Sequence, residues 1–570
     1  MVPTVLPLIG AADARAADAA AIAAGDSAEL LMARAAGHLS RTVVATAGRG
    51  AGLRVDLVVG RGDNGGDGWA AAPVLAARGA HVRVLAPDGT DIPTSDASAA
   101  ARAAWLRRGG PVRTGPVAPH LLHADGRPWA DVVVDCLLGT GAAGPLRGSV
   151  GEAAAAIGLA REAGALVVAC DVPSGVCADD GRAAAGAVVA DVTVTFGALK
   201  RGLLLPPGAV HAGRVHLGGI GDRFAAAVDV ARSSRPGGWS MLTVAGARPG
   251  PPDPLDEKRR RGAVLVIGGH VGTAGAAALA GSAALAAGAG LVTVAVPAPV
   301  RAEVAAMHPA LMTVGLPADA DGGLHADAVH ALPLDGVDAV VAGPGLGTGA
   351  GAAAVVAYVR EHCPRLVLDA DALNVHRDDP DLLGVHPRGG SCALVLTPHE
   401  RELDRIGGPG TSEDRAARVP ELAARWDAHV VAKGPGTLSA APDGTVHVSP
   451  FVEPTLATAG TGDVLAGMLG AALAAAGPDT DFTRDFTRDF TRDFARAVAR
   501  AVWWHGAAGR IAGTMTGGRT DATGVLAALP AVLERLATTA GRDLPDVGRS
   551  GRTVLAGLVD GPLLDRSEVR

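Results

Sequence analysis

Aromatic side chains are scarce in this chain, making up 3% of its 570 residues, with a single tyrosine. A core without them has to be built from Ala, Val and Leu, which suits helices packed closely on a parallel sheet. The five cysteines (Cys136, Cys170, Cys177, Cys363, Cys392) form no C-x-x-C pair and no His/Cys metal spacing. Small buried thiols in a reducing compartment are therefore expected, not disulfides or a zinc site. There is no basic stripe, and the formal charge of −7 is mild with both signs interspersed, so a nucleic-acid partner is not expected. The one dense basic run, Lys258 to Arg261, reads as a solvated domain edge. The apolar N-terminus MVPTVLPLIG lacks a basic leader and a cleavage region, so no signal peptide is expected. Val271 to Val300 carries no charge, but its glycines, alanines, two prolines and β-rich LVTVAV segment read as a buried helix and a central strand. A cytoplasmic protein without a membrane partner is the expectation.

What the chain does have is glycine, 80 residues of it, concentrated beside acids in two loops. GRGDNGGDG (Gly60 to Gly68) follows the apolar run LRVDLVV, and ATAGTGDVLAG (Ala457 to Gly467) runs into an Ala/Leu-rich helical pattern. Both have the composition of a turn into a helix whose backbone N–H groups face an anion. The length exceeds what one hydrophobic core supports, so at least two domains are expected. Short Val-rich runs alternate with Ala-rich helical runs in each half, which predicts an α/β fold of two doubly wound domains, the first with Rossmann-like topology. The predicted division is 1–232, a Gly/Pro-rich linker over 233–257, a second domain over 258–540, and a frayed tail over 541–570. The repeat DFTRDFTRDFTRDF (Asp481 to Phe494) reads as a replicated surface connection between two core helices, with a partner-docking helix as the weaker alternative.

In the first half Asp63, Asn64 and Asp67 crowd a loop where a plain dinucleotide fingerprint has few carboxylates, so a cation or sugar hydroxyls are expected to share it. Asp135, with a second Gly loop (Gly139 to Gly144), and Asp171, with Ser174, follow neighbouring strands and should meet at one crevice. A carboxylate in such a crevice is expected to have its pKa raised toward proton transfer. In the second half, Ala459 to Gly462 would cradle phosphate charge at a helix N-terminus, with Asp463 as a base and a plain helix cap as the alternative.

GDNGGDG, VDCLLGTG, DVPSGVCADDG and VTFGALKRGLLLPPG resemble the motif series of the NAD(P)H-hydrate epimerase family, the N-terminal YjeF domain. Asp63 stands where that family commonly has Asn. The resemblance implies that Asp63, Asn64, Gly65, Gly66 and Asp67, with Gly139, Thr140, Gly141, Ala142, Ala143, Gly144, Pro145 and Leu146, hold the hydrated dinucleotide. It implies that Asn64, Asp135 and Ser174 coordinate K+ and that Asp171 binds substrate and is the catalytic acid/base. Lys200 is a further pocket-rim residue, with an ordinary surface lysine an equal alternative.

VLVIGG, GPGLG, VLDADALN, LTPHERE, KGPGT and GTGDVLAG resemble the NAD(P)H-hydrate dehydratase family, the C-terminal YjeF domain of ribokinase-like fold. By motif position, Ala276, Gly345, Gly347, His399 and Asp463 would contact the hydrate. Lys433, Gly434, Pro435, Gly436, Thr437, Gly460, Thr461 and Gly462 would contact the nucleotide. This chain has HERE where the family usually has HPGE. The implied function is a bifunctional epimerase and ADP-dependent dehydratase acting on NADHX and NADPHX, with ADP as co-substrate, Mg2+ for its phosphates, and a homo-oligomeric state. A ribokinase-type small-molecule kinase carrying a non-catalytic N-terminal binding domain is the alternative.

Overall fold

The computed structural model describes residues 3–117, 122–124, 127–233, 237–251, 254–384, 393–407, 414–475 and 488–538. The chain divides into two compact units, Met1–Arg235 and Pro236–Gly541. Cys392, the proposed tail and residues 481–487 of the repeat lie outside the described residues.

The first unit is built on a seven-stranded sheet. Its strands run in the order Arg214–Gly218, Val192–Phe196, Leu166–Cys170, Val132–Cys136, Arg54–Val59, His81–Ala86, Val112–Thr114. All pairings are parallel. Side chains alternate between the two faces of a strand, and the core divides accordingly. Val55, Leu57 and Val59 enter one cluster with Val132, Val134 and Cys136. Val58 and Val133 enter the other with Leu85, Val167 and Ala169. Helices cover both faces, which is why these strands read as near-continuous apolar runs. Strand order reverses between Arg54–Val59 and Val132–Cys136, so the loops after these two strands open a crevice at the carboxyl edge.

In the second unit the strand order is Gly238–Leu242, Thr445–Val448, Leu438–Ala440, His429–Ala432, Ala393–Leu396, Arg365–Leu368, Ala339–Ala342, Ala263–Ile267, Leu291–Pro297, Met312–Leu316. Leu438–Ala440 is antiparallel to both neighbours and the remaining pairings are parallel. The uncharged stretch forms helix Ala274–Ala286 and the interior strand Leu291–Pro297, as its composition predicts. Helix Thr461–Ala474 packs against Ala274–Ala286 so closely that a Cβ on Gly467 would lie 1.9 Å from the Ala280 carbonyl oxygen. No helix among the described residues is long and apolar enough to cross a membrane.

Two expectations need correction. The stretch read as a linker, 233–257, contains strand Gly238–Leu242 and helix Val244–Ala247. Met241 and Leu242 are buried, Ser240 bonds His447 Nδ1 at 2.8 Å, and Thr243 caps the helix, which outweighs the glycine and proline content nearby. The far end of the DFTR repeat is not a surface connection either. It enters helix Arg488–Met515, where Phe494 is buried edge-on to His429 with ring centroids 4.4 Å apart.

Candidate active sites

In the first unit the crevice is a cavity of about 1010 Å³. Strand Arg54–Val59 ends at Gly60, where a Cβ would lie 1.9 Å from the Leu137 carbonyl oxygen, so only glycine lets the two loops close on each other. Helix Asp63–Ala77 then begins inside the acidic motif. Asp63 accepts hydrogen bonds from Ser95 Oγ at 2.5 Å and Ser98 Oγ at 3.2 Å. The acid that replaces the commoner Asn thus serves as an acceptor that ties this loop to helix Asp96–Arg107.

Asp63, Asn64, Asp67, Gly139, Thr140, Gly141, Ala142, Asp171 and Lys200 all line this cavity. Gly65 and Gly66 are buried within the helix, and Ala143, Gly144, Pro145 and Leu146 lie outside the lining. The Asn64 carboxamide has both polar atoms buried without a hydrogen-bond partner among the described residues. Asp135 is wholly buried behind the second loop, where it accepts from Ser174 Oγ at 2.6 Å and from the amides of Ser174 and Leu137 at 2.8 and 3.1 Å. Burial pushes its carboxyl up to about 6 against these bonds.

Asp171 follows strand Leu166–Cys170 with φ at 64°, a backbone conformation uncommon for a non-glycine residue, which aims its side chain into the cavity. Lys200 is buried, not a surface lysine, and donates to Asp171 Oδ1 at 2.6 Å and to the Phe196 carbonyl at 2.8 Å. Thr195 Oγ1 donates to the same carboxylate oxygen at 3.1 Å, and the Thr140 hydroxyl donates to the other. The expected upward shift of Asp171 is overturned. Burial acts to raise its pKa, but the Lys200 ammonium and the hydroxyl donors outweigh it and hold the carboxyl below its usual range. A carboxyl that is raised in this cavity is Asp67, pushed well up by burial and by the charges of Asp171 and Asp63.

The second site is assembled from loops at the carboxyl edge of the other sheet. The loop after Ala339–Ala342 turns through Gly345 and Gly347, at φ 62° and 77°. Thr273 Oγ1 holds the Gly345 carbonyl at 2.8 Å beside Ala276, and the Gly347 amide donates to Asp371 Oδ2 at 2.9 Å. Lys433 Nζ donates to the buried Asp369 at 2.5 Å, and a Cβ on Gly462 would sit 3.2 Å from that ammonium. Gly460, at φ 88°, starts helix Thr461–Ala474, whose first amides have no helical acceptor. The Thr461 hydroxyl holds the loop through the carbonyls of Leu456 and Thr458, at 2.8 and 2.9 Å. Burial, with Asp369 adding to it and Lys433 opposing it, pushes Asp463 up to about 7. HERE forms a reciprocal cap: the His399 amide donates to Glu402 at 2.8 Å and the Glu402 amide to His399 Nδ1 at 3.2 Å. Gly434, Pro435 and Thr437 stand on the neighbouring loop, where Arg415 holds the Gly436 carbonyl at 3.1 Å.

Comparison with known proteins resolves what these two sites belong to. Residues 28–202 match the family model described as YjeF-related protein N-terminus, and 264–530 match that of NAD(P)H-hydrate dehydratase. The bifunctional NAD(P)H-hydrate repair enzyme of Moorella thermoacetica is 36% identical over 436 residues, covering 74% of this chain and 79% of the relative. That of Gloeobacter violaceus is 34% identical over 510 residues, covering 88% and 92%. The chain belongs to the bifunctional NAD(P)H-hydrate repair enzymes. A solved ADP/ATP-dependent NAD(P)H-hydrate dehydratase from Bacillus subtilis, co-crystallised with ATP and Mg2+, is 26% identical with a TM-score of 0.41, covering 51% of this chain and 95% of its own.

Membership of the repair enzymes ranks the bifunctional reading ahead of the kinase alternative. It does not by itself name every polar group in these crevices. Asp369, Asp371 and Glu402 surround Asp463 and Lys433, and their signal was present in the quoted VLDADALN and LTPHERE runs. Thr195 lies in the quoted VTFGALKRGLLLPPG run, whereas the cavity-lining Asp18 carries no motif and only the fold brings it to this cavity.

Proposed function

We propose that the first unit interconverts the R and S hydrates of NADH and NADPH, and that the second dehydrates the S form with ADP, releasing AMP and phosphate. The observation that carries this reading is the placement of two acids, Asp171 in the first cavity with Lys200 at 2.6 Å, and Asp463 in the first turn of helix Thr461–Ala474 where Lys433 lies against Gly462. The first is held low and the second raised. Each is tuned for a different proton transfer.

In the epimerase site Asp171 accepts and gives up a proton at the oxygen of the hydroxyl-bearing ring carbon as the epimers interconvert, while Lys200 fixes its orientation. Asn64, Asp135 and Ser174 would hold K+. The buried amide of Asn64, unpartnered among the described residues, and the deeply buried carboxylate of Asp135 suit a large monovalent ion that takes oxygen donors, whose charge would offset the acids of this crevice.

In the dehydratase site Asp463 accepts the hydroxyl proton of the S hydrate as that oxygen bonds to the β-phosphorus of ADP and the bond to AMP breaks. The amides at the start of helix Thr461–Ala474 stabilise charge on the transferring group. Phosphate then leaves as the neighbouring ring carbon gives up a proton, which regenerates the dihydropyridine. Among the described residues no three His, Cys, Asp or Glu side chains converge tightly enough to hold a metal. Mg2+ would be held by the nucleotide phosphates with one or two carboxylates, for which Asp369 and Asp371, whose charges act on Asp463, are the candidates. The expected setting is a homo-oligomer in the cytoplasm.

The test is recovery of dihydronicotinamide absorbance when the purified chain meets mixed hydrate epimers with ADP. Full recovery is expected. Recovery that stops at the S fraction would remove the epimerase half, and no recovery from pure S hydrate would remove the dehydratase half.

A further inference from the structure

One wall of the first cavity comes from residues that precede the 28–202 family match. Strand Val5–Ile9 runs parallel to Leu199–Lys200 with Ile9 in register with Lys200. Helix Ala11–Ala23 follows at once, its first turn tied down by the Ala11 amide, which donates to Asp179 Oδ1 at 2.9 Å. Arg201 Nη2 donates to the same oxygen at 3.1 Å, so the helix is anchored both to the loop that follows Asp171 and to the residue after Lys200. Ala17 and Ala21 of this helix pack into the core, while Arg15, Asp18 and Ile22 reach the cavity. Asp18 is thus carried by a fixed element into the space that Asp171 and Lys200 line.

We propose that Asp18 is a second acid–base residue of the epimerase, serving the substrate hydroxyl from one wall of the cavity while Asp171 serves it from another. This rests on the epimerase reading of the site. A carbon that bears both a hydroxyl and the ring nitrogen can be inverted by a route in which oxygen leaves one face and returns to the other. A single carboxylate on one wall serves one of these events. Protonated Asp18 gives its proton to the departing hydroxyl; the C–O bond breaks, water is released, and the nitrogen lone pair forms a C=N+ bond. Water then adds on the other face, the C=N+ electrons return to nitrogen, and ionised Asp171 accepts the proton. Transfer of that proton back through solvent resets the pair, and the opposite direction exchanges their roles. No oxidant or further reactant is needed.

The environments agree with this division. Burial raises Asp18 to about 6, with Lys200 opposing and the charges of Asp171 and Asp63 reinforcing the shift. Asp67 also faces this group, and Arg15 lines the same wall. Asp171 is held low, so one carboxyl is poised to donate where the other is poised to accept.

The experiment uses the full chain with purified R hydrate and ADP, dehydration being made fast by excess ADP, and compares wild type with Asp18→Asn, Asp18→Glu and Asp171→Asn. Asp18→Asn is expected to lower kcat for R hydrate by about 100-fold or more with little change in KM, as loss of a general acid–base group does. Turnover of pure S hydrate should be unchanged, and Asp18→Glu should restore part of the rate. Solvent oxygen labelled with 18O should appear in the hydroxyl of epimerised substrate in wild type. R turnover by Asp18→Asn within about threefold of wild type, with Asp171→Asn inactive, would overturn the role of Asp18 alone. R turnover surviving in both Asn variants would overturn the epimerase reading of this site. Epimerisation without label uptake would overturn the two-carboxyl route.

Discussion

Lys200 Nζ lies 2.6 Å from Asp171 Oδ1, in a pair whose lysine side chain is 4% exposed and whose aspartate is 14% exposed. A buried lysine this close to the carboxylate decides how that carboxylate titrates. Without it, burial would dominate and Asp171 would move up, as Asp67 does.

Lys200→Met should therefore convert a base that stays ionised below the usual carboxylate range into one that protonates at higher pH. The expected outcome is loss of R-hydrate turnover at neutral pH, partly regained as pH rises, while S-hydrate turnover is untouched. Removing one member of a buried pair also costs about 3–5 kcal/mol, which thermal unfolding of the first unit would register. A flat pH profile identical to wild type would show that Lys200 does not tune Asp171.

Asp463 supplies the pH dependence of the other half. As a base raised to about 7 it is half protonated near neutrality, so kcat/KM for S hydrate should climb as pH rises through that value and level off above it. Asp463→Asn should reduce kcat by about 100-fold or more across the range without changing R-to-S exchange. Lys433→Met, which removes the charge that opposes the shift, should move the rise to higher pH.

Gly65 tests how tightly the first loop closes. A Cβ there would lie 1.9 Å from the Gly60 carbonyl oxygen, a backbone atom that cannot swing aside. Gly65→Ala is expected to destabilise the first unit by about 1–3 kcal/mol, measured by denaturant unfolding, and to abolish epimerisation. Gly141→Ala, with nothing within 4 Å of the added carbon, is the matched control and should be stable.

Potassium dependence should map to Asn64. Exchanging K+ for a large organic cation is expected to slow R-hydrate turnover and to lower the unfolding temperature in wild type. In Asn64→Leu, whose side chain leaves no orphaned amide, both responses should vanish. An Asn64→Leu protein with an undiminished K+ response would place the ion elsewhere.

Much of the architecture is legible in the chain because it rests on local pattern. Val-rich runs bounded by Gly or Asp become the parallel strands, and glycine–acid loops mark where strands Arg54–Val59 and Val132–Cys136 end. Elements with weak local signals are not legible. Gly238–Leu242 lies within a glycine- and proline-rich stretch and is a strand because Thr445–Val448 pairs with it. Within the sites, Asp171 and Asp463 stand out by their glycine–acid loops, and Lys433 by the motif that resembles the dehydratase family. Asp18 does not, lying among alanines with no motif around it.

Local sequence, by itself, determined the strands and the glycine–acid loops on which the motif residues stand: short-range periodicity builds the strands, and a loop of glycines can only turn and expose its amides. The charge state of those residues was decided by the tertiary structure alone. Asp171 and Asp463 are chemically the same side chain, and both are drawn from water. One gains an ammonium at 2.6 Å and is held low, while the other has Asp369 among its neighbours and rises to about 7. Electrostatic coupling depends on distance through space and on the water excluded between groups, and neither is written in the order of residues.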